Sequence, residues 1–366
     1  MGVRAHSLVL ALLLLTLGSG TARAASPDRS GLQKKLDAVV ASGVPGALAL
    51  VRADGKTVRL GSGDARISPR RPIRPNDRFR VGSVTKTFLS TVVLQLVAEK
   101  RLSLADPVEK LLPGLVPNGR HITVHELLDM TSGLFDYFDD PRVVKPWLAG
   151  NFGYYWSPER LVGIGVSHKP HYAPGTGWSY CNTCYIILGL VVEKVTGHKV
   201  GNELARRIFE PLHLDATSFD TQQQIAGTHA HGYYRLGAGL VDTTLISPSA
   251  GWAAGAIVST ADDLSAFFRA LYGGRLLRPD LLRAMMTPPP TADPNELYGF
   301  GLAKVQLPCG TMFGNHGDIV GFGTDTWGSA DGKRFFVLFV NVDEESLTAK
   351  SQAMMNEFRL AAFCGH

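Results

Sequence analysis

In ALALVRADGKTVRLGSGDA, residues 47–65, apolar and polar positions alternate on both sides of Asp54-Gly55. A period of two flanking an Asp-Gly pair predicts two antiparallel strands joined by a tight turn. The pattern returns near the other end, where FGTDTWGS, then Asp331-Gly332, then KRFFVLFVN predict a second hairpin. Between these ends the period changes. Phe88, Leu89, Val92, Val93, Leu96 and Val97 recur at helical spacing, ITVHELLDM and CYIILGLVVEKVTG follow suit, and SLTAKSQAMMNEFRLAAF predicts a closing helix. The expected fold is α/β: an antiparallel sheet drawn from both chain ends and packed by helices, with a mostly helical subdomain inserted. The α/β part is expected over about residues 30–80 and 255–366 and the helical part over about 84–250, with a cleft where they meet.

The first residues carry a different pattern. Arg4, the apolar run LVLALLLLTL and the small-x-small Ala22-Arg23-Ala24 read as a secretory signal peptide over residues 1–24. Ten apolar residues fall short of the roughly 20 needed to span a bilayer, so a secreted, extracellular protein without a stable membrane anchor is expected. About 340 residues remain as a single domain, 25–366, and a monomer is expected.

The net charge of +5 adds little. Much of it lies in RISPRRPIRPNDRFR, which reads as a solvated, proline-broken loop rather than a nucleic-acid surface, and no nucleic-acid motif accompanies it. The four cysteines suit an oxidising compartment. Cys309, before a Gly-rich strand region, and Cys364, at the chain end, are a natural pair; their loop of about 55 residues would stabilise by about 4 kcal/mol. Cys181 and Cys184 form a CxxC that reads equally as a short disulfide or as two buried thiols.

Candidate chemistry begins at GSVTKTF, residues 82–88. Ser83 and Lys86 stand three apart at the start of a helix, on one face and within mutual reach. The serine lies at the positive end of the helix dipole, which favours developing negative charge. Lys86 can act as its base only if burial or a nearby cation lowers its pKa by roughly three units. The alternative reading is a serine cap with a solvated lysine. Farther on, Tyr180 and Asn182 precede an apolar helix in PGTGWSYCNTCYIILGL, offering a phenol that can move a proton and an amide that can orient an acyl group or Lys86. Near the C-terminus GNHGDIVGF predicts a Gly-rich strand edge, along which a substrate can lie as an added strand, with backbone N–H groups ready for an oxyanion. Asn315 and His316 face opposite ways on such a strand.

In this order FRVGSVTKTF, YCN and the late Gly-rich strand resemble the serine β-lactamase and penicillin-binding protein superfamily, whose Ser-x-x-Lys signature is general knowledge of the group. The likeness is greatest to secreted serine D-alanyl-D-alanine carboxypeptidases and class C-like β-lactamases and esterases. HITVHELLDMTSGLFDY, YAPGTGWSYCNT, AAGAIVSTADDL and YGFGL extend it over nearly the whole mature chain. The resemblance implies Ser83 as acylated nucleophile, Lys86 as its partner and Tyr180 as proton relay to the leaving group. It implies Asn182 on the substrate's acyl side and an oxyanion hole from the N–H groups of Ser83 and Asp318, just after Gly317. It calls for no cofactor or metal. One departure stands out. The family's third motif opens with Lys or His, whereas the gap-free register preferred here begins with Asn315 and puts His316 second; a one-residue shift would put His316 in the cationic place, with Asp318 then replacing the glycine. Asn315 could bond Tyr180 but carries no charge, so holding a phenolate or a substrate carboxylate would fall to His316 or another cation.

The function expected is a secreted serine hydrolase with an acyl-Ser83 intermediate, cleaving D-Ala-D-Ala peptides of the peptidoglycan type. A β-lactamase or esterase on the same machinery is one alternative; a noncatalytic penicillin- or cell-wall-binding protein is another. A zinc peptidase is disfavoured: HELLD at His125 lacks its second histidine, and the HAH at His229 is common in loops. No Gly-x-Ser-x-Gly elbow is present for an α/β-hydrolase.

Overall fold

The computed structural model describes residues 27–292 and 297–365, so the expected leader at 1–24 lies outside the described residues. Eight strands form one sheet in the order Arg71–Pro72, Lys56–Arg66, Gly46–Ala53, Phe335–Val340, Phe322–Gly328, Gly310–Ile319, Ala303–Leu307 and Leu297–Tyr298. All its neighbours are antiparallel, and first and last parts of the chain meet at the centre, where Ala49 pairs with Leu338. Both expected hairpins are present.

The two central strands are buried on both faces, which is why KRFFVLFVN reads as a nearly unbroken apolar run. Leu48, Leu50, Phe335, Val337 and Phe339 point into the core shared with the inserted helices. Ala47, Ala49, Val51, Phe336, Leu338 and Val340 point to the opposite core, closed by the helices Arg29–Ala41 and Ala349–Cys364. Period two thus sorts one continuous run into two cores. Cys309 and Cys364 are bonded, tying the edge of the sheet to the last turn of the closing helix.

The helix Val84–Ala98 lies between sheet and insert. Its spacing predicts one apolar face, yet every residue from Val84 to Leu94 is buried, including Thr85, Lys86, Thr87, Ser90 and Thr91. The strand Gly310–Ile319, the helix Asn182–Thr196 and the turn Trp252–Gly255 surround it, so no side is left for water. Its buried hydroxyls are bonded, Thr87 to the Gly301 carbonyl and Thr91 to the Thr87 carbonyl.

The insert is less uniformly helical than its pattern predicts. ITVHELLDM yields only Val124–Leu128, started by a Thr123/Glu126 capping box and stopped before Met130, whose φ of 62° no right-handed helix can continue. Residues 218–242 contribute short strands. Ser218–Phe219 joins Phe79–Arg80 and Ile257–Ser259 in a three-stranded sheet that leads directly into Gly82 and Ser83.

Candidate active site

The turn Gly82-Ser83 is held from behind by the Val81 N–H, which donates to the Ile257 carbonyl at 3.0 Å. Ser83 occupies the cap position, but its hydroxyl makes no capping bond. It accepts instead from Lys86 Nζ at 2.9 Å and from the Tyr180 hydroxyl at 2.7 Å. The solvated-lysine alternative is therefore excluded: the Lys86 side chain is 0 % exposed, while Ser83 stays partly open.

Lys86 also donates to Asn182 Oδ1 at 2.7 Å and to the Ala254 carbonyl at 3.1 Å. Burial lowers its pKa to about 7, the nearby Asp136 carboxylate opposing the shift. The ammonium sits 4.8 Å from the centre of the Tyr180 ring. Burial, and then Tyr298 beside it, raise the Tyr180 pKa well above 10, so its phenol keeps its proton at neutral pH. Environment thus differentiates the two groups: an amine near its midpoint and a phenol far below its own.

Asp136, from SGLFDY, went unnoticed as a site residue in the sequence. Its Oδ2 accepts from both the backbone N–H of Asn182 at 3.0 Å and the Asn182 amide at 2.8 Å, which turns Oδ1 of Asn182 towards Lys86. Burial raises the Asp136 pKa. A lone aspartate between Phe135 and Tyr137 gives no period or spacing to announce it; only the 46-residue contact does so.

The strand Gly310–Ile319 passes the other side of Ser83. A Cβ on Gly317 would stand 1.9 Å from the Val81 carbonyl oxygen and 3.1 Å from Ser83 N, and one on Gly82 would stand 2.7 Å from Asp318 N. The two backbones approach so closely that the amides of Ser83 and Asp318 share one corner of the cleft. On its far side the strand pairs with Ala303–Leu307 only as far as Gly314. Beyond it, residues 315–319 present the edge on which an added strand was expected.

The expected third-motif contacts change. Asn315 is buried, and its amide donates to the Tyr298 hydroxyl at 2.9 Å, the Gly301 carbonyl at 3.2 Å and Thr87 Oγ1 at 3.3 Å, rather than to Tyr180. Tyr298, the first residue of YGFGL, stands with its ring 5.9 Å from that of Tyr180. His316 faces the other way, its Nδ1 3.0 Å from Asp325, whose second oxygen accepts from Arg359. Burial works to lower the His316 pKa, but the Asp325 bond and the charges around it outweigh this and raise it. The Asp318 carboxyl accepts from Glu344 N at 2.8 Å, and burial, then Asp343, push its pKa up to about 8. His125 packs on Phe300 and pairs with Asp129, and His229 stacks on His231.

The Beta-lactamase family model matches residues 32–356, which carry Ser83, Lys86, Asp136, Tyr180, Asn182 and the strand Gly310–Ile319. The chain belongs to the beta-lactamase family. Within the fold of that family it is similar to a D-stereospecific amidohydrolase from Streptomyces sp., with 37 % identity, a TM-score of 0.84, and 93 % of this chain and 100 % of that chain covered. A D-amino acid amidase from Ochrobactrum anthropi SV3 follows at 26 % identity and a TM-score of 0.80, covering 91 % and 97 %. Penicillin-binding protein 4* of Bacillus subtilis is 25 % identical over 304 residues, covering 78 % of this chain and 65 % of its own length. The chain spans 64 % and 65 % of the length of two curated penicillin-binding relatives from Bacillus subtilis, just under two thirds. Asn315, which begins the third-motif register expected from the resemblance, is a neutral amide bonded within the protein.

Proposed function

We propose that this protein is a serine amidase acting through an acyl-Ser83 intermediate, with amides and esters of D-amino acids as substrates. The neutral, internally bonded Asn315 is the observation that carries the substrate side of this reading. In the gap-free register the position that would hold a substrate carboxylate offers no charge. The neighbouring His316 is turned to Asp325 on the opposite face of the strand, and the Asp318 carboxyl is taken up by the Glu344 N–H. A free C-terminal carboxylate would enter without a partner, whereas an amide or ester needs none. The two amidase relatives support the same choice.

The proton path follows from the pKa order. Neutral Lys86 takes the Ser83 proton as Oγ attacks the carbonyl carbon, and the N–H groups of Ser83 and Asp318 receive the oxyanion. Tyr180 gives its proton to the leaving nitrogen, the C–N bond breaks, and the proton held by Lys86 returns to the phenolate. Water then attacks the ester by the reverse path, and Ser83 recovers its proton. The two disulfides, together with the leader pattern at 1–24, support an exported protein.

The test offers one preparation D-phenylalanine amide, L-phenylalanine amide, an N-acylated peptide ending in D-Ala-D-Ala, a chromogenic β-lactam and a short-chain ester. The kcat/KM for D-phenylalanine amide should exceed that for the D-Ala-D-Ala peptide by about tenfold or more, the worth of one charge-assisted hydrogen bond the peptide's carboxylate fails to make. A higher value on the D-Ala-D-Ala peptide would replace this reading by the carboxypeptidase one.

The oxyanion assignment has its own check. Gly317→Ala drives a methyl group into the Val81 carbonyl and pushes the strand away from Ser83. Acylation by a chromogenic ester should slow by about 100-fold, the cost of misplacing one donor, with the melting temperature measured alongside. An unaltered acylation rate would move the oxyanion site elsewhere.

A further inference from the structure

Two residues of the site flank a cysteine: the order is Tyr180-Cys181-Asn182-Thr183-Cys184. Cys181 and Cys184 are bonded to each other, with their Cα atoms 5.3 Å apart, and both are buried at 1 % and 0 % exposure. Cys181 is the cap of the helix Asn182–Thr196, and its Sγ also accepts from the Cys184 N–H at 3.0 Å. A serine or aspartate would supply that acceptor. The covalent bond adds something a cap does not: it closes the first helical turn around Asn182.

A ring this small removes little chain entropy from the unfolded state compared with the 55-residue loop closed by Cys309 and Cys364. Its effect is local, and its surroundings indicate where. Cys184 Sγ lies 3.0 Å from Ser132 Oγ, which in turn accepts from the Leu134 N–H. The next residue but one is Asp136, whose carboxylate holds Asn182. Thr183, inside the ring, donates to the Phe135 carbonyl at 2.7 Å and accepts from the Tyr137 N–H at 3.0 Å. Loop 132–137 and turn 181–184 are therefore joined through three residues of the turn, Asn182, Thr183 and Cys184.

We propose that the Cys181–Cys184 disulfide is a positioning element of the acylation site, fixing the turn from which Tyr180 reaches Ser83 and Asn182 reaches Lys86. The proposal rests on the acyl-Ser83 reading but not on the choice of amide as substrate. Without the bond, Cys181 and Asn182 gain backbone freedom, the 2.7 Å contacts of Tyr180 and Asn182 loosen, and both proton transfer and the seat of Lys86 suffer.

The test compares wild type with Cys181→Ser/Cys184→Ala, which keeps a capping acceptor but loses the cross-link, and with Cys309→Ser/Cys364→Ser. The probe is p-nitrophenyl acetate, an activated ester that needs Ser83 whatever the natural substrate, with turnover expressed per folded protein. The first variant should lose about 10- to 100-fold in kcat, the scale on which lost supporting contacts act, with KM changed less than about threefold. The acid limb of its kcat/KM should move to higher pH as Lys86 regains solvent. The second variant should melt lower yet keep the wild-type kcat and limb. Wild-type kcat and limb in the first variant would overturn the proposal, as would equal losses in both variants that follow their melting temperatures. Where the first variant does not fold, graded reduction and alkylation of wild type, read by mass spectrometry, serves instead: activity should fall with loss of the 181–184 bond, and loss that follows the 309–364 bond overturns the idea. Failure of the acyl-Ser83 reading is recognised separately, by full esterase turnover in Ser83→Ala.

Discussion

Ser83→Ala is expected to abolish covalent labelling by penicillin or an activated ester and to lower kcat by roughly 10⁴- to 10⁶-fold, the range for removing the nucleophile of an acyl-transfer site. The size follows from the geometry. The hydroxyl is the shared acceptor of Lys86 and Tyr180, and among the described residues no second hydroxyl bonds to both. Removing one oxygen deletes the attacking atom while leaving Lys86 bonded to Asn182 and the Ala254 carbonyl, so the fold should persist. Residual rates would reflect binding and the oxyanion corner alone. The measurement is intact-protein mass after incubation with penicillin, together with initial rates on an ester and an amide. An adduct or near wild-type turnover in the variant would place the nucleophile elsewhere.

Lys86→Gln is expected to cost about 10²- to 10⁴-fold in kcat, the usual contribution of a positioned general base. A free lysine with a pKa of about 10.4 is neutral less than once in a thousand at pH 7; burial brings Lys86 down to about 7, so near neutrality about half of it can take the serine proton. The sign of the pH dependence is set by this. The neutral amine is the active form, so wild-type kcat/KM should rise with pH, bend near pH 7 and fall about tenfold per unit on the acid side. Tyr180 does not supply that limb, because its pKa is raised, not lowered. Glutamine retains a polar head but no titratable group, and its residual activity should be flat across pH 6 to 8 to within about threefold. A limb that survives near pH 7 in Lys86→Gln would assign the base to another group.

Much of the fold was legible because its determinants are local. Alternation around Asp54-Gly55 and Asp331-Gly332 sets two hairpins, and apolar spacing after Ser83 sets a helix whatever the chain does later. Burial on all sides of that helix was not legible, since Thr85, Thr87, Ser90 and Thr91 read as a polar face until their hydroxyls find carbonyls and neighbours. The short strands in residues 218–242 were missed for a related reason. Two to four residues carry too little period, and their pairing partners lie at Ile257–Ser259 or across a turn.

The site divides along the same line. Ser83 and Lys86 are three residues apart, Tyr180 and Asn182 two apart, and Gly317 opens a Gly-rich edge, so the chain itself determined which chemical groups are present and that each begins or borders an element. Tertiary structure alone decided how they act. It brought Tyr180 across 97 residues and Asn182 across 96 to the first turn of one helix. It added Asp136 and Tyr298, which no spacing announces, and it chose the face of the strand on which Asn315 lies. Proton affinities were decided there too, because a lysine pKa near 7 is a property of excluded water rather than of Ser-x-x-Lys. Sequence lists a serine, a lysine and a phenol; burial and distance set their contacts and their proton affinities.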